Sequence, residues 1–319
     1  MSPPGVETNA SFLGPRSALG LWAVMGSVAM WGYSAVAIKT VSTTGPVTAF
    51  YRLWFAIPLL WAVVLAFPRM RSSLSRDWLL GSMAGGILFA THQLLFFTAV
   101  KFTTIANVTI IGALQPVLVL LVAAPLFSES TSSRAILASL VAIGGTSVVI
   151  GGASGSVMGG GFGDVLAVGN LFAFTGYFLL SKRIRYTVGA PEYVAGMTTM
   201  AGLVMGLACL VLGEDLLSPT ASDLWMIAAL AVFPGALGHV LTNWAHAYVS
   251  ALRISMILLA APVVATASAA FFLGETLQDL QMVGFGLVLG AIAVALLETG
   301  SGQKNPSEQA AAETNRPDF

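Results

Sequence analysis

Long apolar runs separated by short polar turns make up almost the whole chain. One of them, residues 105–130 (IANVTIIGALQPVLVLLVAAPLFSES), carries a proline near its middle and ends in an acidic turn. The same pattern returns 146 positions later, where Pro116 falls on Pro262 and Glu129 falls on Glu275. The register holds without gaps into the preceding apolar run. The pattern therefore predicts a duplicated bundle of apolar helices.

Ten runs are long and apolar enough, or nearly so, to cross a membrane, which takes about 20 residues. Both terminal segments, residues 1–17 and 299–319, lack apolar periodicity and are expected to be disordered tails. The glycine-rich stretch 151–164 lies between the fifth and sixth runs. The predicted spans are residues 19–38, 47–67, 78–99, 104–127, 135–150, 165–184, 193–212, 224–248, 254–273 and 282–297.

An odd number of spans in each half has a topological consequence. Five spans per repeat place the second repeat, residues 163–298, upside down relative to the first, residues 18–152. Inverted repeats are typical of secondary transporters, in which exchanging the conformations of the two halves alternates access to a central site. The sequence thus predicts an all-α membrane protein with ten transmembrane helices in two inverted five-helix repeats around a central cavity.

Loop charges predict the orientation in the membrane. Loops after the second, fourth and sixth spans are rich in Lys and Arg, whereas loops after the odd-numbered spans contribute only Lys39 and Lys101. Because positively charged loops stay on the cytoplasmic side, both termini are expected to be cytoplasmic.

Composition narrows the class further. The chain is 56% hydrophobic and only 9% charged, against about a quarter charged residues in soluble domains. A net charge of zero argues against a nucleic-acid partner. The single cysteine, Cys209, excludes an intrachain disulfide and a cysteine-based metal cluster. We expect a small-molecule substrate and a lipid surround, with no cofactor and no bound metal.

Polar and aromatic side chains recur on single faces of the predicted spans. Such groups are costly in lipid and usually face the bundle interior or a water-filled path. The shift of 146 also maps Gln93 onto His239, so both halves place a polar group at matching depth. The predicted substrate-binding residues are Trp31, Tyr33, His92, Gln93, Phe96, Asn107, Gln115, Asn170, Tyr177, His239 and Asn243.

Several of these residues have a structural alternative. Amide side chains in membrane helices often hydrogen-bond neighbouring helices without touching a ligand. A metal role for His92 or His239 is disfavoured because no carboxylate or thiol lies nearby in sequence. Arg52 can bind an anionic group or extend its side chain to the interface, and the interfacial position is the favoured expectation.

Prolines and glycines suggest where helices bend or pack closely. Pro116 and Pro262 are predicted hinges for gating, because each removes a helical hydrogen bond. GxxxG pairs such as Gly286 and Gly290 suit internal packing or a homodimer face. No Asp or Glu lies in the middle of a predicted span, so only histidine could couple transport to protons, and uncoupled exchange stays equally open.

Four sequence segments together resemble a known family. They are AMWGYSAVAIK in the first span, FYRLWFA in the second, the fourth span with its ending P…E, and LLAAPVVATASAAFFLGET in the ninth. The chain is similar to EamA-type members of the drug/metabolite transporter superfamily over about residues 18 to 298. The resemblance implies two inverted EamA repeats in a bacterial inner-membrane carrier, with a cavity formed by helices one, three, four, six, eight and nine. Arg52 has Met197 near its matching position, so the arginine is not duplicated.

The leading hypothesis is an exporter of small metabolites, with aromatic or other apolar amino acids as the best candidates. A multidrug or nucleotide-sugar-like carrier is the alternative within the same class, although the latter would require several cations in the cavity. A membrane receptor or scaffold would not require polar residues on so many helices. An integral membrane enzyme is disfavoured because the spans lack clustered carboxylates and His-rich metal motifs.

Overall fold

The computed structural model describes residues 15–72, 74–103, 105–127, 133–153, 161–273 and 279–297. All regular secondary structure in these ranges is helical. The helices are α1 Pro15–Thr40, α2 Gly45–Ala66, α3 Pro68–Ser72, α4 Arg76–Phe102, α5 Ile105–Gly112, α6 Gln115–Phe127, α7 Ser133–Ala153, α8 Phe162–Ile184, α9 Ala190–Leu212, α10 Ala221–Leu230, a π-helical segment Ala231–Leu237, α11 Gly238–Ala245, α12 Ala251–Leu258, α13 Ala261–Leu273 and α14 Asp279–Leu297.

Local sequence signals set the helix ends. Thr44, Ser75 and Ser250 are N-caps, and each hydroxyl accepts a hydrogen bond from a backbone N–H in the first turn of its helix. Gly213 ends α9 with a φ of 68°, a left-handed conformation that glycine adopts without steric cost. These caps place the turns where the polar residues of the sequence are found.

The duplicated stretch forms a broken helix in each half. The predicted fourth span is α5 followed by α6, and the predicted ninth span is α12 followed by α13. All four bounds of the first pair return, shifted by 146 residues, in the second pair. Pro116 and Pro262 are each the second residue after the break. Pro58, in contrast, lies inside the continuous helix α2.

The described chain has the features of a multi-pass membrane protein. Six of its spans are long and apolar enough to cross a membrane: Arg16–Thr40, Gly45–Ala66, Arg76–Phe102, Phe162–Ile184, Ala190–Leu212 and Ala221–Ala245. Shorter apolar helices fall within or next to three of the other four predicted spans, residues 135–150, 254–273 and 282–297. Large apolar side chains such as Leu121, Leu207 and Val211 are exposed on helix surfaces, as expected where lipid replaces water.

Helix packing repeats between the two halves. Helix α4 packs on α8, and the corresponding α11 packs on α1. Likewise α5 contacts α7, as α12 contacts α14. The pairs α2–α9 and α7–α14 join equivalent helices of the two halves. This reciprocity is that of a pseudo-two-fold axis through the bundle, the arrangement that inverted repeats produce.

Candidate functional site

A central cavity of about 180 Å³ lies between the two halves. Its wall is formed by residues of α1, α2, α4, α5, α6, α8, α11, α12 and α13 together with both helix breaks. Helix α2 thus joins the six predicted helices. Eight of the predicted site and hinge residues line the cavity: Trp31, His92, Gln93, Phe96, Gln115, Asn170, His239 and Pro262.

Arg52 lies at the centre of the site. Its side chain is only 5% exposed, and Nη1 donates to Oε1 of Gln93 over 2.5 Å. Nη2 lies 3.5 Å from Nε2 of His239. The guanidinium also stands over the ring of Phe97, 5.6 Å from its centroid. The expectation that Arg52 reaches the membrane interface is therefore wrong, because three inward-facing partners hold it inside the bundle.

One arginine serves both repeats. Gln93 and His239 occupy equivalent positions in the two halves, and Arg52 contacts both. The guanidinium therefore lies close to the pseudo-two-fold axis, where a second copy would collide with it. The equivalence of Gln93 and His239 in the sequence does not by itself indicate that Arg52 lies between them, because all three residues belong to different helices.

The Arg52 charge is not neutralised by an acidic side chain of the described chain. No Asp or Glu is among the described residues that line the cavity. A guanidinium has five donors and no acceptor, and a buried charge is costly unless it is paired. The site is therefore electrostatically suited to an anionic group.

On the side that faces away from Arg52, two further predicted residues hold His239 in place. The hydroxyl of Tyr177 lies 3.2 Å from Nδ1 of His239. Nδ2 of Asn243 donates to that hydroxyl over 3.0 Å and to the carbonyl of His239 over 2.8 Å. Because Arg52 can only donate, Nε2 of His239 acts as acceptor and Nδ1 carries the proton. Tyr177 and Asn243 lie behind the cavity wall and position the imidazole.

Aromatic rings form much of the remaining wall. The ring centroid of Trp31 lies 4.9 Å from that of His239, and Phe174 lies 4.7 Å from His92. Asn170 Oδ1 is 2.6 Å from Nδ1 of His92 and fixes that ring. Trp31 Nε1 donates to the carbonyl of Pro234 in the π-helical segment, over 2.9 Å. Apolar ring faces thus surround a small number of fixed polar groups, as in small-molecule sites generally.

Three predicted residues stand outside this arrangement. Tyr33 is 40% exposed and is absent from the cavity wall formed by the described residues. Asn107 belongs to α5, but its side chain lies outside the described part of the structure. Pro116 is buried at the break beside Gln115, whereas its counterpart Pro262 lines the cavity directly.

The two ends of the cavity differ. Its wall extends to Ile38 near the end of α1 and to Val108 near the start of α5. Towards the end of α8 a buried layer closes the bundle, with Phe178 against His246 at 4.5 Å between ring centroids. Lys182 donates there to two carbonyls in the turn that follows α11. The cavity therefore lies nearer the end of the bundle that contains the last turn of α1 (the α1 end). The bundle is closed at the opposite end, which contains the last turn of α8 (the α8 end).

Comparisons with known proteins agree with the duplicated architecture. The sequence profile of the EamA-like transporter family matches residues 18–151 and again residues 161–297. A stretch of 118 residues is 33% identical to the "Probable terminal-alkyne amino-acid exporter" of Streptantibioticus cattleyicolor, covering 35% of this chain and 39% of that protein. A stretch of 137 residues is 28% identical to an "Uncharacterized transporter" of Archaeoglobus fulgidus, covering 43% of this chain and 48% of that protein.

The matched stretches thus span less than half the length of either relative. A solved structure described as "Crystal structure of protein" superposes with a TM-score of 0.75 over 88% of this chain and 98% of its own, at 20% identity. At this sequence identity the similarity shows that the two proteins share a fold and nothing more.

Proposed function

Because this chain belongs to the EamA-like transporter family, we propose that it carries small carboxylate-bearing metabolites, amino acids first among them, by alternating access between its two halves. A member of this family is a membrane transporter and not an enzyme. Its substrate is a small molecule, and its surround is lipid.

The buried guanidinium of Arg52 is the observation that carries the substrate class. A carboxylate can accept two parallel hydrogen bonds from a guanidinium fork, and no described acidic side chain competes for that position. The rings of Trp31, Phe96 and Phe174 supply apolar surface beside it. A carboxylate joined to an apolar or aromatic side chain matches this combination.

Alternating access rests on the inverted arrangement of the repeats. The cavity is displaced towards one end of the bundle, and exchange of the two half conformations would displace it towards the other. With the orientation expected from the loop charges, the α8 end is cytoplasmic and the cavity lies nearer the outer side of the membrane. We propose a bacterial inner-membrane protein with both termini in the cytoplasm and two repeats, residues 18–152 and 163–298.

Export is the proposed direction. The relative from Streptantibioticus cattleyicolor carries the name of an amino-acid exporter, which supports amino acids as cargo and efflux as direction. A multidrug carrier is the second candidate, favoured by the aromatic wall. The two differ in charge preference, because Arg52 should repel the organic cations that many multidrug carriers accept.

A ligand screen on the purified protein tests the proposal. A ligand that binds only the folded state raises the unfolding temperature. We expect apolar or aromatic L-amino acids to stabilise the wild type in detergent. Arg52→Gln should lose that stabilisation, and Arg52→Lys should weaken binding roughly tenfold to a hundredfold, as expected for loss of a charge-assisted pair worth about 1.5–3 kcal/mol.

Arg76→Gln is the matched control, since Arg76 is exposed at the start of α4 and should bind ligands as the wild type does. Unchanged ligand stabilisation in Arg52→Gln would rule out the carboxylate position. Stabilisation by organic cations in place of amino acids would favour the multidrug alternative.

A further inference from the structure

The two prolines of the duplicated stretch each free one backbone carbonyl. Proline has no N–H, so the carbonyl four residues earlier loses its helical partner. These carbonyls belong to Gly112, before Pro116, and to Leu258, before Pro262. Backbone hydrogen bonds at the first break reach the carbonyls of Thr109, Ile111 and Leu114. Those at the second break reach Met256, Ile257 and Ala260, so none reaches either freed carbonyl among the described residues.

The two residues that carry the freed carbonyls belong to the wall of the central cavity. Gly112 and Leu258 line it, and they are equivalent residues of the two repeats, the last residues of α5 and α12. A Cβ added to Gly112 would meet nothing within 4 Å, so the backbone there adjoins open space. Because the carbonyl end of a helix carries partial negative charge, α5 and α12 bring two such ends to one cavity.

Gln115 supplies an independent sign of a missing partner. Its side chain is 3% exposed and lines the cavity one residue before Pro116. Its carboxamide nitrogen has no hydrogen-bond partner among the described residues. Because this nitrogen can only donate, an acceptor atom of a ligand, such as a carboxylate oxygen, can recover the cost of about 1–3 kcal/mol. The equivalent residue in the second repeat is Ala261, so only one half supplies this group.

The freed carbonyls and Arg52 lie on different walls. Arg52 belongs to α2, which packs on α4, α9, α10 and the π-helical segment. The two helix breaks adjoin α6 and α12, and these two helices pack on each other. The cavity between them therefore has a cationic wall and a wall of carbonyl acceptors.

We propose that the carbonyls of Gly112 and Leu258 form a second polar subsite that binds a hydrogen-bond-donating group of the substrate, the ammonium group in the case of an amino acid. The inference rests on the proposed function, in which Arg52 binds the carboxylate. An ammonium group has three donors and no acceptor, so it matches carbonyl oxygens and is repelled by the guanidinium. The charge pattern of the cavity therefore orients a zwitterion.

The test compares ligands that differ only in the amino group. L-Phenylalanine and 3-phenylpropionate form one pair, and L-leucine and 4-methylpentanoate form the other. We expect the wild type to bind each amino acid at least roughly tenfold more tightly than its partner, as measured by calorimetry in detergent. Pro262→Ala restores a backbone N–H that can donate to the carbonyl of Leu258. The ratio of the two affinities should therefore fall towards one.

Two further variants separate recognition from folding. Pro116→Ala returns an N–H to the carbonyl of Gly112 in the same way, and it should lower the same ratio even if Pro262→Ala fails to fold. Pro58→Ala is the matched control, because Pro58 lies inside α2 and is exposed; its ratio should equal that of the wild type.

The outcomes separate this inference from the proposed function. A wild-type ratio near one, or a tenfold ratio that persists in both Pro262→Ala and Pro116→Ala, overturns the second subsite while leaving carboxylate transport intact. If neither member of either pair binds the wild type, the proposed amino-acid function fails and the subsite fails with it.

Discussion

At the scale of single residues, Arg52 and His239 show how an asymmetric site arises in a symmetric scaffold. Arg52 contacts Gln93 of one repeat and His239 of the other. The histidine is in turn oriented by Tyr177, so the imidazole presents its acceptor nitrogen to the guanidinium. Duplication supplied equivalent positions, and side-chain divergence at those positions created one cationic centre.

Tyr177→Phe tests the orienting role of the hydroxyl. The change removes the partner of His239 Nδ1 and of Asn243 Nδ2, both buried. We expect a loss of about 1–3 kcal/mol in unfolding free energy, because the buried Nδ1 of His239 loses its partner and Asn243 Nδ2 loses one of its two. The unfolding temperature in detergent measures it. Tyr248→Phe is the control, and equal unfolding temperatures in the two variants would contradict the role.

Sequence reasoning placed most of the cavity residues but misplaced Arg52. The helical spacing of polar residues and their predicted depth in the membrane identified His92, Gln93, Asn170 and His239, because helical spacing fixes which side chains share a face. Whether an arginine turns inward depends on partners from other helices, and a single sequence does not contain that information. The same limit applies to Tyr33, where adjacency to Trp31 did not mean a shared face.

At the scale of helices, the duplicated stretch acts through its breaks. The sequence predicted one long helix with a flexing proline, whereas the structure has two half-helices in each repeat. Helix α5 ends at Gly112, three residues before Gln115, and beyond the break α6 packs against α12. Other predicted helices were too short at their ends. The predicted span 135–150, for example, lies within the longer helix Ser133–Ala153.

Asp223 joins separate elements at one end of the bundle. Its carboxylate accepts from the backbone N–H of Ser42 at 2.8 Å and from the Ser42 hydroxyl at 2.6 Å. It also accepts from the N–H and hydroxyl of Thr220 at the start of α10. One carboxylate therefore caps α10 and ties it to the turn between α1 and α2.

Asp223→Ala should lower the unfolding free energy by about 1–3 kcal/mol, because the change removes several hydrogen bonds to a charged group. Thermal unfolding in detergent measures the effect. The equivalent residue of the other repeat gives a matched control, since Asp77 is exposed at the start of α4. Asp77→Ala should cost well under 1 kcal/mol, as is usual for exposed sites. Equal losses in the two variants would contradict the tie.

At the scale of the molecule, a lysine contacts equivalent backbone carbonyls at each end of the bundle, although the two lysines are not at equivalent positions. Lys39 donates to the carbonyls of Val100 and Thr103 at the end of α4. Lys182 donates to the carbonyls 146 positions later, in the turn that follows α11. Lys182 is buried whereas Lys39 is exposed, in keeping with a bundle sealed at the α8 end. Exchange of these two environments is what alternation between the halves would require.

The most direct measurement is counterflow in liposomes containing the purified protein. Vesicles loaded with unlabelled L-phenylalanine or L-leucine should accumulate the external labelled amino acid against its gradient, since a carrier exchanges substrate through one alternating site. Arg76→Gln should perform like the wild type, and Arg52→Gln should not exceed empty liposomes. Folded wild-type protein that exchanges no member of a broad amino-acid and carboxylate panel, or an Arg52→Gln variant that exchanges as fast as the wild type, would contradict the account.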